Sequence, residues 1–295
     1  MRTSFHDLLA ATARSSPGAA ALSYKGETID YAETWRQVQA TQAQLHALGL
    51  RRGERVAIYL EKRIETVVAL FGTSAAGGIF VPINHVLKAP QVSHILSDSG
   101  ARILVTSIER LRQIEGMLSD TDIEVVVAVG AGALPALDDV AEGARHDTPA
   151  GEAAVAPVAS VDLDPAAILY TSGSTGKPKG VVLSHRNLIV GAESVSGYLG
   201  NSASDVILSV LPLSFDAGLS QVTTAFAVGA HCVLMNYPLP REVPKLCEKY
   251  GVTGITCVPP LWLQLLEVPW PAEASRALRY FANTGGRMPR GAPDR

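Results

Sequence analysis

Short apolar runs alternate with longer stretches of helical periodicity along most of this chain. RVAIYL, Arg55 to Leu60, has the length and composition of a buried strand, and it follows a helix predicted over Ala32 to Leu48 that Gly49 closes. A helix from about Glu65 to Ala76 precedes the apolar IFVPI. Helical Gln91 to Ser97 then leads into the strand-like RILVT, Arg102 to Thr106, and EVVVAV, Glu124 to Val129, extends the series. From Gly130 to Pro165 the composition shifts to Ala, Gly, Pro and Asp without periodicity, as expected of a surface connection. The alternation then resumes with AAILY, a glycine-rich loop, a helix from Arg186 to about Leu199, and the strand-like DVILSVLPL. Helix and strand recur through VTTAFAVGA, HCVLM, Arg241 to Tyr250 and GITCV. Neither an internal repeat nor a heptad run is present. The pattern predicts an α/β chain in which strands of a largely parallel sheet are linked by covering helices. The compositional shift divides it into a first α/β subdomain, 1–160, and a second, 161–295.

Composition narrows the class. With 295 residues, 47% of them hydrophobic and 18% charged, the chain can bury substantial cores and is not a disordered polymer. A net charge of -3 supplies no basic field for nucleic acid or an anionic membrane, so a small ligand is expected. Three cysteines without C-x-x-C spacing, Cys232, Cys247 and Cys257, fit a reducing cytoplasm. The opening MRTSFHDLLAATAR interrupts its apolar run with His6 and Asp7, which predicts an amphipathic helix and not a signal peptide. No stretch approaches the ~18 apolar residues needed to span a bilayer.

The stretch YTSGSTGKPKG, Tyr170 to Gly180, carries the most chemistry. It sets Thr171, Ser172, Ser174 and Thr175 among Gly173, Gly176 and Gly180, and adds Lys177 and Lys179, directly after an apolar strand. Glycines allow the backbone to approach a ligand and aim successive N–H groups at an anion, while hydroxyls and lysines add donors and positive charge. These are the parts of a polyphosphate-binding loop. The Walker spacing G-x-x-x-x-G-K-[ST] does not fit, because Pro178 follows Gly176-Lys177, which disfavours a P-loop ATPase. The bland alternative is a solvent-exposed turn, since Ser, Thr and Gly are ordinary loop residues.

TSGSTGKPKG, with VVLSHRNL after it, resembles the signature loop of the adenylate-forming (AMP-binding) superfamily of acyl-CoA synthetases and adenylation domains. The resemblance covers essentially the whole chain. It implies the large N-terminal domain of such a ligase, built as two stacked subdomains. It also implies ATP with Mg2+, attack of a carboxylic acid on the α-phosphate, release of pyrophosphate, and transfer of the acyl group to a thiol, with coenzyme A the expected co-substrate. Thr171, Ser172, Gly173, Ser174, Thr175, Gly176, Lys177 and Lys179 would then hold the phosphates, with Lys179 and Thr175 as the catalytic candidates. LPLSFDAGLSQVTTAF, VPPLWLQL and NTGGRMPR further resemble the exosortase A system-associated AMP-forming acyl-CoA ligases.

On the acid side, LPLSFDAGLSQ follows a strand and opens a helix. Family members place substrate contacts there. Many acyl-CoA synthetases carry a histidine near the Asp216 position, where this chain departs from them. Phe215-Asp216 is similar to the pair that meets the substrate ammonium in amino-acid adenylation domains, so a prolyl-type ligase loading a carrier protein is the alternative. Asp216 could equally cap a helix starting near Ala217. Trp262, within VPPLWLQLLE, would supply an apolar wall or be ordinary core.

NTGGRM follows the strand-like LRYFA and is similar to the family segment passing beside adenine, which makes Gly285, Gly286 and Arg287 the adenine-side candidates; otherwise they form a strand-ending turn. The chain stops before the position where the family carries a magnesium-holding glutamate, a ribose-binding aspartate and a C-terminal domain with a catalytic lysine. The expectation is an incomplete, weakly active or inactive fragment without its C-terminal catalytic domain, or else a non-catalytic nucleotide-binding remnant. The seven histidines show no metal-ligand spacing, no metal-ligating residue is predicted, Ser184 should cap the helix after the loop, and Lys62 and Arg63 look like solvated charge.

Overall fold

The computed structural model describes residues 2–130, 157–158, 160–171, 177–237 and 239–289. The chain opens with helix α1 (Asp7–Ser15), strands β1 (Ala20–Tyr24) and β2 (Glu27–Asp30), and helix α2 (Tyr31–Ala47). It continues through β3 (Arg55–Tyr59), α3 (Ile64–Ala75), β4 (Ile79–Pro82), α4 (Ala89–Ser99), β5 (Ala101–Ser107), α5 (Ile108–Ile114), a 3-10 turn over Glu115–Asp120, and β6 (Val125–Val129). Next come β7 (Pro165–Thr171), β8 (Lys179–Ser184), α6 (His185–Leu199), β9 (Val206–Ser209), α7 (Asp216–Val228), β10 (His231–Leu234) and α8 (Glu242–Tyr250). The last described elements are β11 (Gly254–Cys257), α9 (Pro259–Leu266), α10 (Ala272–Arg276) and β12 (Tyr280–Asn283). The α/β expectation is met, and each sheet is mixed, not wholly parallel.

Two compact units divide the chain: Met1–Asp7 with Thr34–Ile189, and Leu8–Glu33 with Val190–Arg295. In the first unit the strand order is β6-β5-β3-β4-β7-β8, parallel throughout except for the antiparallel edge pair β7–β8. Its parallel strands read as unbroken apolar runs because both faces are covered, and β4 is buried at every position. Phe5 stacks on Phe71 of α3 with ring centroids 4.3 Å apart and lies 4.9 Å from the Phe80 ring on β4. On the other flank Val92, Ile95 and Leu96 of α4 join Tyr59, Leu104, Val126 and Tyr170 in one apolar cluster.

In the second unit the order is β12-β11-β9-β10-β1-β2, again parallel except for the hairpin β1–β2. The hairpin turns on Lys25 and Gly26, both at positive φ (50° and 94°), the backbone that a two-residue I′ turn requires. It is locked to β10 by Ser23 Oγ, 2.8 Å from His231 Nε2, and by the Tyr31 hydroxyl, which donates to the Ala230 carbonyl at 2.7 Å. Leu208, Val233, Ile255, Trp262 and Leu265 centre the core.

Three expectations need correction. The division at 160/161 is not where the chain divides: β7 pairs with β4 through Ala167 and Phe80, so both flanks of the glycine-rich loop belong to the first unit, while residues 8–33 belong to the second. The physical reason is that Leu22 pairs with Cys232, a partner distant in sequence that leaves no local signature. The stretch after the loop does not lead straight to a helix but first forms β8. Lys62 is not solvated, with only 4% of its surface exposed, and Arg63 is held by Glu65. Most of the expected 130–165 connection lies outside the described residues.

Candidate functional site

In the first unit, β7 ends on Thr171 and the chain returns as β8, with Thr171 paired to Lys179 and Tyr170 to Gly180. The loop is therefore closed as a hairpin at the carboxyl end of a strand in an α/β sheet, where ligands bind in folds of this class. Thr171, Lys177 and Lys179 are all exposed. Ser172, Gly173, Ser174, Thr175 and Gly176 lie outside the described residues. The close pairing needs a glycine at 180, since a Cβ there would come within 2.7 Å of Ile168 Cγ2 and 3.1 Å of Tyr170 Cζ. Tyr170 is anchored behind the loop: its hydroxyl donates to Asp98 Oδ2 at 2.6 Å. Burial first, and then the Asp98 carboxylate, push its phenol above the ordinary range, so it stays protonated. His94, one turn earlier on α4, donates from Nε2 to the Pro178 carbonyl at 3.1 Å. The helix after the hairpin is capped as expected, because Ser184 Oγ accepts from the Asn187 N–H at 3.2 Å and Asn187 Oδ1 accepts from the Ser184 N–H at 3.0 Å.

In the second unit the remaining candidates gather at the carboxyl ends of β9, β11 and β12. The turn after β9 delivers Phe215 and Asp216 to the start of α7. Phe215, not Asp216, is the N-cap residue, with extended backbone (φ -110°, ψ 147°) and no side-chain capping bond. Asp216 already has helical backbone, so the capping alternative is corrected; it is exposed and favours the helix N-terminus through its charge. Phe215 is 44% exposed, a large apolar surface next to that carboxylate. In the same turn Ser214 Oγ is buried with no hydrogen-bond partner among the described residues. The turn is braced from inside by Gln221, whose Oε1 accepts from the Leu211 N–H at 3.0 Å and whose Nε2 donates to the Thr256 carbonyl of β11 at 2.8 Å.

Trp262 on α9 is buried, donates from Nε1 to the Ala282 carbonyl at 3.2 Å and meets the Phe281 ring edge-on with centroids 5.4 Å apart. These contacts fasten α9 to β12. Beyond β12, Gly285 takes a positive φ of 71°, and the Asn283 side-chain amide donates to the Gly286 carbonyl at 2.7 Å. A Cβ on Gly285 would lie 3.2 Å from Val258 Cγ1, and one on Gly286 3.4 Å from Pro259 Cγ. The turn thus lies against the start of α9, the helix that carries Trp262, with Gly285, Gly286 and Arg287 exposed. The structure brings Trp262 and this turn together. His94, Asp98 and Gln221 escaped sequence reasoning because nothing local ties residue 94 to 178 or residue 221 to 256.

Exposed lysines and a hydroxyl flank the loop, and beyond β12 the small residues Gly285 and Gly286 leave backbone exposed. Among the described residues, no group of three His, Cys, Asp or Glu side chains is placed to hold a metal ion.

The chain matches the AMP-binding enzyme family over residues 9–295. It is similar to a feruloyl-CoA synthase of Amycolatopsis sp, 31% identical over 280 residues that cover 94% of this chain and 53% of the relative. It is also similar to ScoC, a fatty acid--[acyl-carrier-protein] ligase of Streptomyces coeruleorubidus, 34% identical over 273 residues that cover 90% and 49%. The chain therefore spans about half the length of these curated relatives. Among solved structures, the inhibitor-bound N-terminal domain of FACL13 from Mycobacterium tuberculosis superposes with a TM-score of 0.83 at 26% identity, covering 99% of this chain and 72% of that one. Its glycine-rich hairpin, its two mixed sheets and these matches agree: the chain belongs to the AMP-binding enzyme family.

Proposed function

We propose that this chain carries the phosphate-binding and acid-binding portions of an AMP-forming acid–thiol ligase that works in the cytoplasm. The observation that carries the reading is the hairpin register that sets Thr171 opposite Lys179 at the carboxyl end of β7. Lys177 and Lys179 neutralise the polyphosphate, and the Thr171, Ser172, Ser174 and Thr175 hydroxyls donate to its oxygens, with Gly173 and Gly176 giving the backbone room. The acid's carboxylate oxygen attacks the α-phosphorus, the bond to the bridging oxygen breaks, and pyrophosphate leaves. Lys179 and Thr175 stabilise the charge that grows on the phosphoryl oxygens. Magnesium, arriving with ATP, supplies further charge neutralisation. A thiol, coenzyme A in this reading, then attacks the acyl carbonyl, loses its proton and displaces AMP. Gly285, Gly286 and Arg287 flank the adenine, and Phe215, Asp216 and Trp262 line the acid's side.

Within the family, LPLSFDAGLSQVTTAF, VPPLWLQL and NTGGRMPR support a place among the exosortase A system-associated acyl-CoA ligases. A second reading, an amino-acid ligase loading a carrier protein, is favoured by exposed Asp216 beside Phe215, a carboxylate suited to a substrate ammonium; the carrier-protein ligase ScoC is a relative that supports such an acceptor.

The test is ATP titration followed by ATP–pyrophosphate exchange across fatty, aromatic and amino acids. At most weak exchange with one acid class is expected from this chain by itself, and in a full-length version an exchange that Lys179→Ala lowers on the order of 10²-fold or more. ATP binding without exchange for any acid would favour a nucleotide-binding remnant, and no ATP binding at all would sink the reading.

A further inference from the structure

We propose that helix α4 is a two-point clamp on the glycine-rich hairpin, with His94 and Asp98 as positioning residues that hold its two stems at a fixed separation. Positions 94 and 98 lie four residues apart and so share one face of the helix. From that face Asp98 takes the Tyr170 hydroxyl, immediately before Thr171, and His94 takes the Pro178 carbonyl, immediately before Lys179. The two contacts therefore end on the residues next to the cross-strand pair Thr171–Lys179. A carbonyl only accepts, so His94 must carry a proton on Nε2. The Tyr170 ring also abuts Gly180 on the opposite stem, which passes the Asp98 contact across the hairpin.

The clamp is useful only if α4 itself is fixed, and it is. Val92, Ile95 and Leu96 are buried in the core of the first unit, and Ser97 Oγ donates to the Asp120 carbonyl at 3.1 Å. At its C-terminal end, the Ser99 and Gly100 carbonyls accept from the Arg55 guanidinium at 2.7 and 2.5 Å. A glycine-rich segment has many conformations to lose on binding an anion, and fixing both stems beforehand removes part of that loss. The part played in nucleotide binding rests on the function proposed above, whereas the restraint on the hairpin does not.

Three variants test the proposal: His94→Ala; His94→Gln, which restores a side-chain N–H; and Tyr170→Phe, which removes only the hydroxyl. Amide hydrogen exchange is followed in peptides covering 171–184 without nucleotide, together with the Kd for ATP, the KM for the acid and the urea midpoint. Faster exchange in H94A and Y170F is expected, with ATP weakened about tenfold, an unchanged KM for the acid, and recovery in H94Q. Unchanged exchange in both H94A and Y170F would overturn the clamp. So would a loss of ATP affinity that merely follows the urea midpoint and that H94Q does not recover. If exchange quickens as expected but the unaltered chain binds no ATP, the clamp stands and the ligase reading falls.

Discussion

In the first turn of α7, a Cβ on Gly218 would fall far inside van der Waals contact distance of the Pro212 carbonyl oxygen, which neither backbone can accommodate without moving. This glycine is required for a reason that has nothing to do with positive φ: the turn carrying Ser214, Phe215 and Asp216 folds back onto the helix it starts. Gly218→Ala should therefore cost about 1–3 kcal/mol of unfolding free energy, measured by urea denaturation, because relief requires backbone displacement. The same substitution should alter acid preference in pyrophosphate exchange more than ATP affinity. A wild-type urea midpoint would show that the turn yields freely. At this scale the candidate residues were legible by type, since glycines, hydroxyls and lysines in a dense string announce anion chemistry. Gly218, Gln221, His94 and Asp98 were not, because each matters through an atom distant in sequence or packed on a turn whose path the sequence does not state.

Among elements, the amino ends of β9 and β11 are joined to β12 by one buried carboxylate. Asp205, 2% exposed in its side chain, accepts from Arg279 Nε at 2.9 Å and Nη2 at 2.8 Å, from Thr253 Oγ1 at 2.6 Å and from the Ser202 N–H at 2.8 Å. Burial alone would raise this carboxyl, but the Arg279, Thr253 and Ser202 bonds outweigh it and hold it down to about 2. Removing Arg279 leaves that charge without its cation. Arg279→Ala should destabilise the second unit by on the order of 2 kcal/mol, below the usual loss for a fully buried pair because the guanidinium is 44% exposed. Faster exchange of the β12 amides should accompany it, and an unchanged exchange pattern would count against this anchoring. The strands and helices themselves were mostly visible in the periodicity: β3, α3, β4, β5 and α6 fall within a residue or two of expectation. The β1–β2 hairpin and β8 were missed. Strands of four to six residues carry little pattern, two of these three, β2 and β8, lie at a sheet edge, and the Lys25-Gly26 turn is the local signal for the hairpin.

For the whole chain, no described helix is long and apolar enough to cross a membrane. Acid should unfold the protein through two buried histidines of the first unit. His6 lies with Nδ1 3.1 Å from Ser74 Oγ, and His185 accepts the Phe5 N–H at Nδ1 at 3.0 Å, which demands the unprotonated atom. Burial lowers His6 from 6.5 to about 4 despite the opposing Asp7, and burial likewise lowers His185. The folded state thus binds fewer protons than the unfolded one in this window, so stability is present above pH 6.5 and is lost as the pH falls through about 4. Urea midpoints measured from pH 7.5 to 4 should decline below 6.5, and His6→Gln should flatten the decline; a midpoint independent of pH would refute it. The sequence by itself determined the α/β class, most element boundaries and the dense string of glycines, hydroxyls and lysines from Thr171 to Gly180, because periodicity, turn residues and composition are local properties. Only the tertiary structure decided that residues 8–33 and 190–295 share one sheet, that the loop's flanks belong to the other, and that α4 grips those flanks. Parallel pairing and side-chain clamps join residues far apart along the chain, and no local pattern records such a partner.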